Sequence, residues 1–148
     1  MTYSNPRAAL AQYGQASTQS AVSTASPHRL IQMLMEGALE KIAKAKGHMQ
    51  RGEIAEKGRH IGWAISIIDG LRTSLDHEAG GEMAANLEQL YDYMSRRLVE
   101  ANAQNNEEYL DEVAGLLRQI KSAWDELPQE VRQSRQSPAE DIIANASA

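Results

Sequence analysis

The side chains that could do chemistry in this 148-residue chain are four histidines, at 28, 48, 60 and 77, and a set of arginines and carboxylates on its periodic segments. Helical bundles that carry a di-iron centre need Glu-x-x-His on two helices. The residues three before the histidines are Ala25, Ala45, Lys57 and Ser74, so that ligand set is missing. His-Glu-x-x-His, the Gly-x-x-x-x-Gly-Lys phosphate loop and Gly-x-Gly-x-x-Gly are absent as well. There is no cysteine, which removes disulfides, thiolate metal sites and cysteine nucleophiles. The four histidines therefore read as surface residues. A small helical enzyme, such as a mutase, would aim acidic and basic groups into its core, and Arg72, Arg96, Arg97 and Glu100 are the candidates. Their helical angles put them off the core, where Arg96 and Arg97 pair with Asp92 or Glu100 at one-turn spacing. The expectation is a protein that is not an enzyme and uses neither metal nor cofactor.

Twenty acidic residues against fifteen basic ones give a net charge of −5, which argues against nucleic acid or an anionic membrane as the main partner. No apolar run approaches the roughly 18–20 residues that span a bilayer, and the first residues contain no apolar signal-type segment. Membrane insertion is not expected, and with no cysteine the chain reads as intracellular. Phenylalanine is missing and aromatics make up 5%, while Ala, Leu, Ile and Met abound, a balance that favours helices over sheets.

Residues 1–25 are rich in Ser, Thr, Gln and Ala and read as a mobile leader. Ser26-Pro27 then reads as a cap followed by proline at the first helical position, where the missing N–H costs nothing. From there Leu30, Ile31, Leu34, Met35, Ala38, Ile42, Ala45 and Met49 recur with a 3.6-residue period up to Gly52. A second stripe joins Ile54, Ile61, Ala64, Ile65, Ile68, Leu71 and Leu75 and ends before the Gly80-Gly81 pair, read as a turn. The third carries Met83, Leu87, Leu90, Met94, Leu98 and Ala101 and stops at Asn102–Asn106, with Asn106 capping the next helix. The fourth carries Tyr109, Val113, Leu116, Leu117, Ile120, Ala123, Trp124 and Leu127 and ends at Pro128. Four such amphipathic runs with short connections predict an all-α, antiparallel up-down four-helix bundle over residues 26–127. The leader would add a short N-terminal cap, and residues 128–148 read as a disordered tail.

The core stripes leave some apolar residues unexplained. Trp63 and Ile67 lie four apart on a side of the second helix away from Ile61, Ile65 and Ile68, and Tyr91, Tyr93 and Val99 flank or oppose the third stripe. A helix apolar on two sides is either central in a larger core or presents a surface to a partner. Leu10 and Tyr13, three apart on a polar segment, could fold back as a plug over an apolar groove. The residues thus stop at a helical bundle with a helix- or peptide-binding surface.

The segment Thr24-Ala25-Ser26-Pro27-His28-Arg29-Leu30-Ile31-Gln32-Met33-Leu34, followed by Glu36-Gly37-Ala38, resembles the opening motif of the flagellar export chaperone family FliS. Further motifs agree in order and spacing: Ala64-Ile65-Ser66-Ile67-Ile68, Ser74-Leu75-Asp76, Gly80-Gly81-Glu82, Asn86-Leu87, Leu90-Tyr91-Asp92-Tyr93-Met94, Arg97-Leu98, Ala101-Asn102, Glu112-Val113, Leu116-Leu117 and Ala123-Trp124. The resemblance covers Leu10 to Leu127. It departs from the family at Met35, where an aromatic residue is common, and this puts the shape of the nearby pocket in doubt.

The resemblance implies a cytoplasmic chaperone that binds the disordered C-terminal segment of flagellin, prevents early polymerisation and delivers the subunit to the flagellar type III export gate. It implies no nucleotide and no metal. On this reading Leu10 and Tyr13 are the plug and gate-facing residues, and Leu30, Ile31 and Leu34 are groove-floor candidates. Trp63, Ile67, Tyr91, Tyr93 and Val99 are the groove walls. The alternative is a helical-bundle adaptor that self-associates through its second apolar stripe as a homodimer.

Overall fold

The computed structural model describes residues 24–126, so the leader residues Leu10 and Tyr13 and the tail expected from 128 lie outside the described residues. Four helices run in chain order: α1 (Pro27–Gln50), α2 (Ile54–Thr73), α3 (His77–Gln104) and α4 (Glu107–Asp125), with no strand among the described residues. None of the described helices is long and apolar enough to cross a membrane.

Each helix begins and ends for a local reason. The Ser26 hydroxyl accepts from Arg29 N at 3.1 Å and Pro27 occupies the first turn, so α1 starts as the sequence predicts. Asn105 closes α3 in the left-handed region (φ 52°), and Asn106 caps α4 by accepting from Tyr109 N at 3.2 Å. The expected turn at Gly80-Gly81 takes another form. Helix α2 ends earlier, at Thr73, and Asp76 caps a single helical turn by accepting from Ala79 N at 3.0 Å. Gly81 then kinks α3 with φ 53° and ψ −125°, a conformation open to glycine because it has no Cβ.

Each helix packs on the next in chain order and α4 closes back on α1. Cross-helix bonds fix the sense: Gln32 with Asp125, Lys46 with Asp111 and Gln50 with Glu107 run oppositely along α1 and α4, as an antiparallel up-down bundle requires. The four stripes meet in one core of Leu30, Ile31, Leu34, Met35, Ala38, Ile42, Ala45, Ile61, Ala64, Ile68, Leu71, Met94, Leu98, Ala101, Leu110, Val113, Leu117 and Trp124.

Several expectations are corrected. Ile67, assigned to a second stripe, is 2% exposed and belongs to this core. Ile67 Cδ1 lies 3.6 Å from the point a Cβ on Gly37 would occupy, an ordinary van der Waals separation, so α1 packs directly over the Ile67 side chain and covers it. Tyr91, at 4% exposed, is also core, because it follows Leu87 and precedes Leu98 by one and two turns on the inward face of α3. Ile54 is 59% exposed, since it opens α2 beyond the packed length of the stripe, and Ala123 is exposed too. Two of the four histidines are buried. His28 stacks on Trp124 (centroids 4.8 Å apart, planes within 9°), and His60 lies beneath Trp63 and His48.

Candidate partner-binding site

The apolar stripes are imperfectly covered at one end of the bundle. There α1 and α3 begin and α2 and α4 end, and all four send side chains into one small cavity of about 20 Å³, enough for about one water. Ile31 and Met35 come from α1, Leu71 from α2 with Ser74 and Leu75 just after it, Leu87 and Tyr91 from α3, and Ile120 and Trp124 from α4. Ile31, Met35, Leu71, Tyr91 and Trp124 are buried and form the floor, whereas Ser74, Leu75, Leu87 and Ile120 are partly exposed and form the rim. Met35 contributes a flexible thioether to the floor.

The floor is held rigidly. Trp124 Nε1 donates to the His28 carbonyl at 3.0 Å, tying the end of α4 to the start of α1. Beside it, Gln32 Nε2 donates to Asp125 Oδ1 at 2.7 Å and Lys121 Nζ to Asp125 Oδ2 at 2.7 Å. Partial burial raises the Asp125 carboxyl, but these two donors outweigh it and hold the group below its usual range. Burial alone pushes the Tyr91 phenol well above its ordinary value, so the floor stays uncharged at neutral pH.

Of the residues singled out in the sequence, Ile31 and Tyr91 line this cavity, while Leu30, Leu34 and Ile67 pack in the surrounding core. Trp63, Tyr93 and Val99 lie elsewhere. Trp63 sits on α2 with Lys41 Nζ 4.3 Å and the Arg59 guanidinium 4.8 Å from its ring centroid. Tyr93 donates its hydroxyl to Glu112, which also accepts from Arg97 Nε at 2.8 Å. The Arg97 guanidinium in turn lies 3.8 Å from the Tyr109 ring centroid. Tyr93 and then Arg97 lower the Glu112 carboxyl, and the same bond raises the Tyr93 phenol. Val99 is 56% exposed on α3. Arg96 pairs with Asp92 at 3.0 Å and Arg97 with Glu100 at 3.6 Å, at the one-turn spacings expected.

The rim residues Leu75, Leu87 and Ile120 each continue a helical stripe, so the sequence pattern alone predicts ordinary core for them. Among the described residues, Leu75 and Leu87 flank the break between Thr73 and His77 and the kink at Gly81, and Ile120 lies in the last turns of α4, so no further described element packs over them. The signal was the position of those stripe residues beside predicted helix ends.

The family model described as flagellar protein FliS matches residues 9–131. A flagellar secretion chaperone FliSB of Pseudomonas aeruginosa is 57% identical over 117 residues, covering 79% of this chain and 93% of that protein. The flagellar secretion chaperones FliS of Vibrio cholerae and Salmonella typhimurium are 46% and 47% identical, over 84% and 78% of this chain and 91% and 86% of those proteins. By the extent of both kinds of match, the chain belongs to the FliS family of flagellar proteins.

Proposed function

We propose that this protein is a cytoplasmic flagellar export chaperone that binds the C-terminal segment of flagellin, keeps it from polymerising early and passes it to the type III export gate. The names of its relatives support a secretion chaperone without a catalytic role. The observation that carries the reading further is the apolar cavity to which all four helices contribute. A disordered client that folds on binding needs apolar anchors placed against a preformed surface. Ordering it costs about 2–5 kcal/mol, so a wrapped area larger than the cavity is required. Ile31, Tyr91, Leu87 and Ile120 are the anchor points for one apolar client side chain. Leu30, Leu34 and Ile67 support that floor from the core, and Trp63, Tyr93 and Val99 are the surfaces over which the client continues.

The segment before residue 24 joins the bundle at the cavity end, through the start of α1. From Tyr13 to Pro27 an extended chain reaches at most about 50 Å, more than the length of α1. That reach is sufficient for Leu10 and Tyr13 to serve as the reversible plug we propose, displaced by client or used at the gate. The test is a calorimetric titration with the C-terminal segment of a flagellin, beside the same peptide with its apolar positions changed to Ser. One-to-one binding with negative ΔCp that is lost in the Ser peptide is the expected result. Absence of binding, with a mass that rises with concentration, would replace this reading by a self-associating adaptor.

A further inference from the structure

The end of the bundle opposite the apolar cavity brings together three potential metal ligands from two helices: His48 of α1 and Glu56 and His60 of α2. One ligand atom of each lies within 4.8 Å of the other two. We propose that His48, Glu56 and His60 form a binding site for one divalent transition-metal ion of the zinc class, joining α1 to α2.

Both imidazoles are held in place through Nδ1. His60 Nδ1 lies 2.8 Å from the Glu56 carbonyl oxygen, and a carbonyl can only accept, so Nδ1 carries the proton and Nε2 the lone pair. His48 Nδ1 is shared between Glu53 Oε1 at 2.7 Å, which accepts from a protonated Nδ1, and Arg51 Nη2 at 3.2 Å, which donates to an unprotonated one. The shorter contact to the carboxylate favours the Nδ1–H tautomer, with Nε2 as the basic nitrogen. A ring that gives one N–H to a carbonyl or carboxylate is the usual support for a metal bound through the other nitrogen. The rings stand 4.8 Å apart at 38° rather than flat upon each other. Trp63 meets the buried His60 edge-on at 5.1 Å and restrains that ring.

Two neutral imidazoles and one carboxylate suit Zn²⁺ and its neighbours, whereas Ca²⁺ and Mg²⁺ take oxygen ligands. Tetrahedral Zn²⁺ with bonds of about 2.0–2.1 Å holds its ligand atoms roughly 3.4 Å apart, so the widest pair must close by about 1.4 Å. The Glu56 carboxylate, whose Oε2 lies 3.8 Å from His60 Nδ1, must swing to the Nε2 side of that ring to share the ion. Its present partner is Arg59 at 3.0 Å, an exposed pair of the kind that contributes little. Arg51 is already drawn to Glu53 at 2.9 Å, which leaves the carboxylates to offset the nearby cations. Three protein ligands leave one position for water.

The experiment is a calorimetric titration of the untagged full chain with Zn²⁺ alone, repeated on three variants, with helicity checked by circular dichroism. One ion per chain is expected. His48→Gln and Glu56→Gln should each weaken Zn²⁺ binding by at least about tenfold, while His77→Gln leaves it unchanged. Glu56 lies at the surface, so its variant keeps the fold even where a histidine variant does not. Absence of saturable binding at millimolar Zn²⁺ overturns the proposal. So does binding that survives Glu56→Gln and His48→Gln, or binding that disappears in His77→Gln.

Discussion

Lys57 is the clearest place to test what holds the polar end of the bundle together. Its side chain is 3% exposed, and Nζ donates to the Asn102 carbonyl at 2.9 Å and to Asn105 Oδ1 at 2.5 Å. These acceptors belong to the last turn and the C-cap of α3, where carbonyls lack helical partners and the helix dipole favours a cation. Lys57→Met keeps the apolar stem but removes both donated bonds. Hydrogen bonds to a charged group contribute about 1.5–3 kcal/mol, and the energy recovered by not burying an ammonium offsets part of that. The expected net loss is about 2 kcal/mol, or a fall in Tm of about 8 °C for a domain of this size. Urea unfolding followed by circular dichroism gives the value directly, with an unchanged m confirming that only stability moved. Asn105→Gly provides the partner variant, because glycine suits the left-handed backbone there and removes little besides the acceptor. A double-mutant cycle should show coupling of about 1 kcal/mol. A Lys57→Met protein within about 0.5 kcal/mol of the parent, with no coupling to Asn105, would refute this account of the α3 terminus.

Three other perturbations read separate parts of the fold. Ile67→Asp places a carboxylate in the core and should cost at least about 4 kcal/mol, seen as lost helical signal at 222 nm; retained helicity would return Ile67 to an open surface. Gly81→Ala meets no neighbouring atom, so its cost is backbone strain alone, about 1–2 kcal/mol by thermal unfolding, and a neutral result would mean that the kink is not at Gly81. Glu112 has its carboxyl lowered below 4.5 by Tyr93 and then Arg97, so its contribution is complete above pH 4.5 and is lost as pH falls through the lowered value. Glu112→Gln should therefore flatten the acid limb of stability measured by urea unfolding between pH 5 and pH 3, and an unchanged limb would remove Glu112 from that role.

The helices were legible in the sequence because each carries its own start signal and a stripe with one clear period. Ser26-Pro27 and Asn106 act within their own chain segment, and local chemistry is what a sequence displays. Ile67 and Tyr91 were misplaced because the breadth of an inward face depends on the neighbouring helix. Only the packing of α1 on α2 shows that Ile67 lies against Gly37. Lys57, His28 and His60 were illegible for the same reason. Their partners lie on another helix in the cases of Asn102 and Trp124, and the pairing of His60 with His48 crosses the first loop. Of the cavity, Ile31 and Tyr91 were anticipated as partner residues, while the rim at Leu75, Leu87 and Ile120 depends on where the helices stop.

The two ends of the bundle differ in kind, and that difference makes binding separable from stability. At one end Lys57, Asn105 and Asn106 satisfy helix termini with polar groups; at the other, apolar side chains remain partly uncovered around the cavity. From Leu87 to Asn102 along α3 is about 22 Å at 1.5 Å per residue, beyond the range in which substitutions couple. If the rim takes a flagellin side chain as proposed, Leu87→Asp should lower flagellin-peptide affinity by roughly tenfold or more, because that side chain must cover a desolvated carboxylate. Lys57→Met should leave that affinity unchanged while lowering stability, and the double variant should lose stability by the sum of the two single effects within about 0.5 kcal/mol. Peptide titration of the three variants, paired with their urea unfolding, measures both quantities. Weakened peptide binding in a folded Lys57→Met protein would mean that the ends communicate through α3, and the client would then read the whole bundle rather than its apolar end.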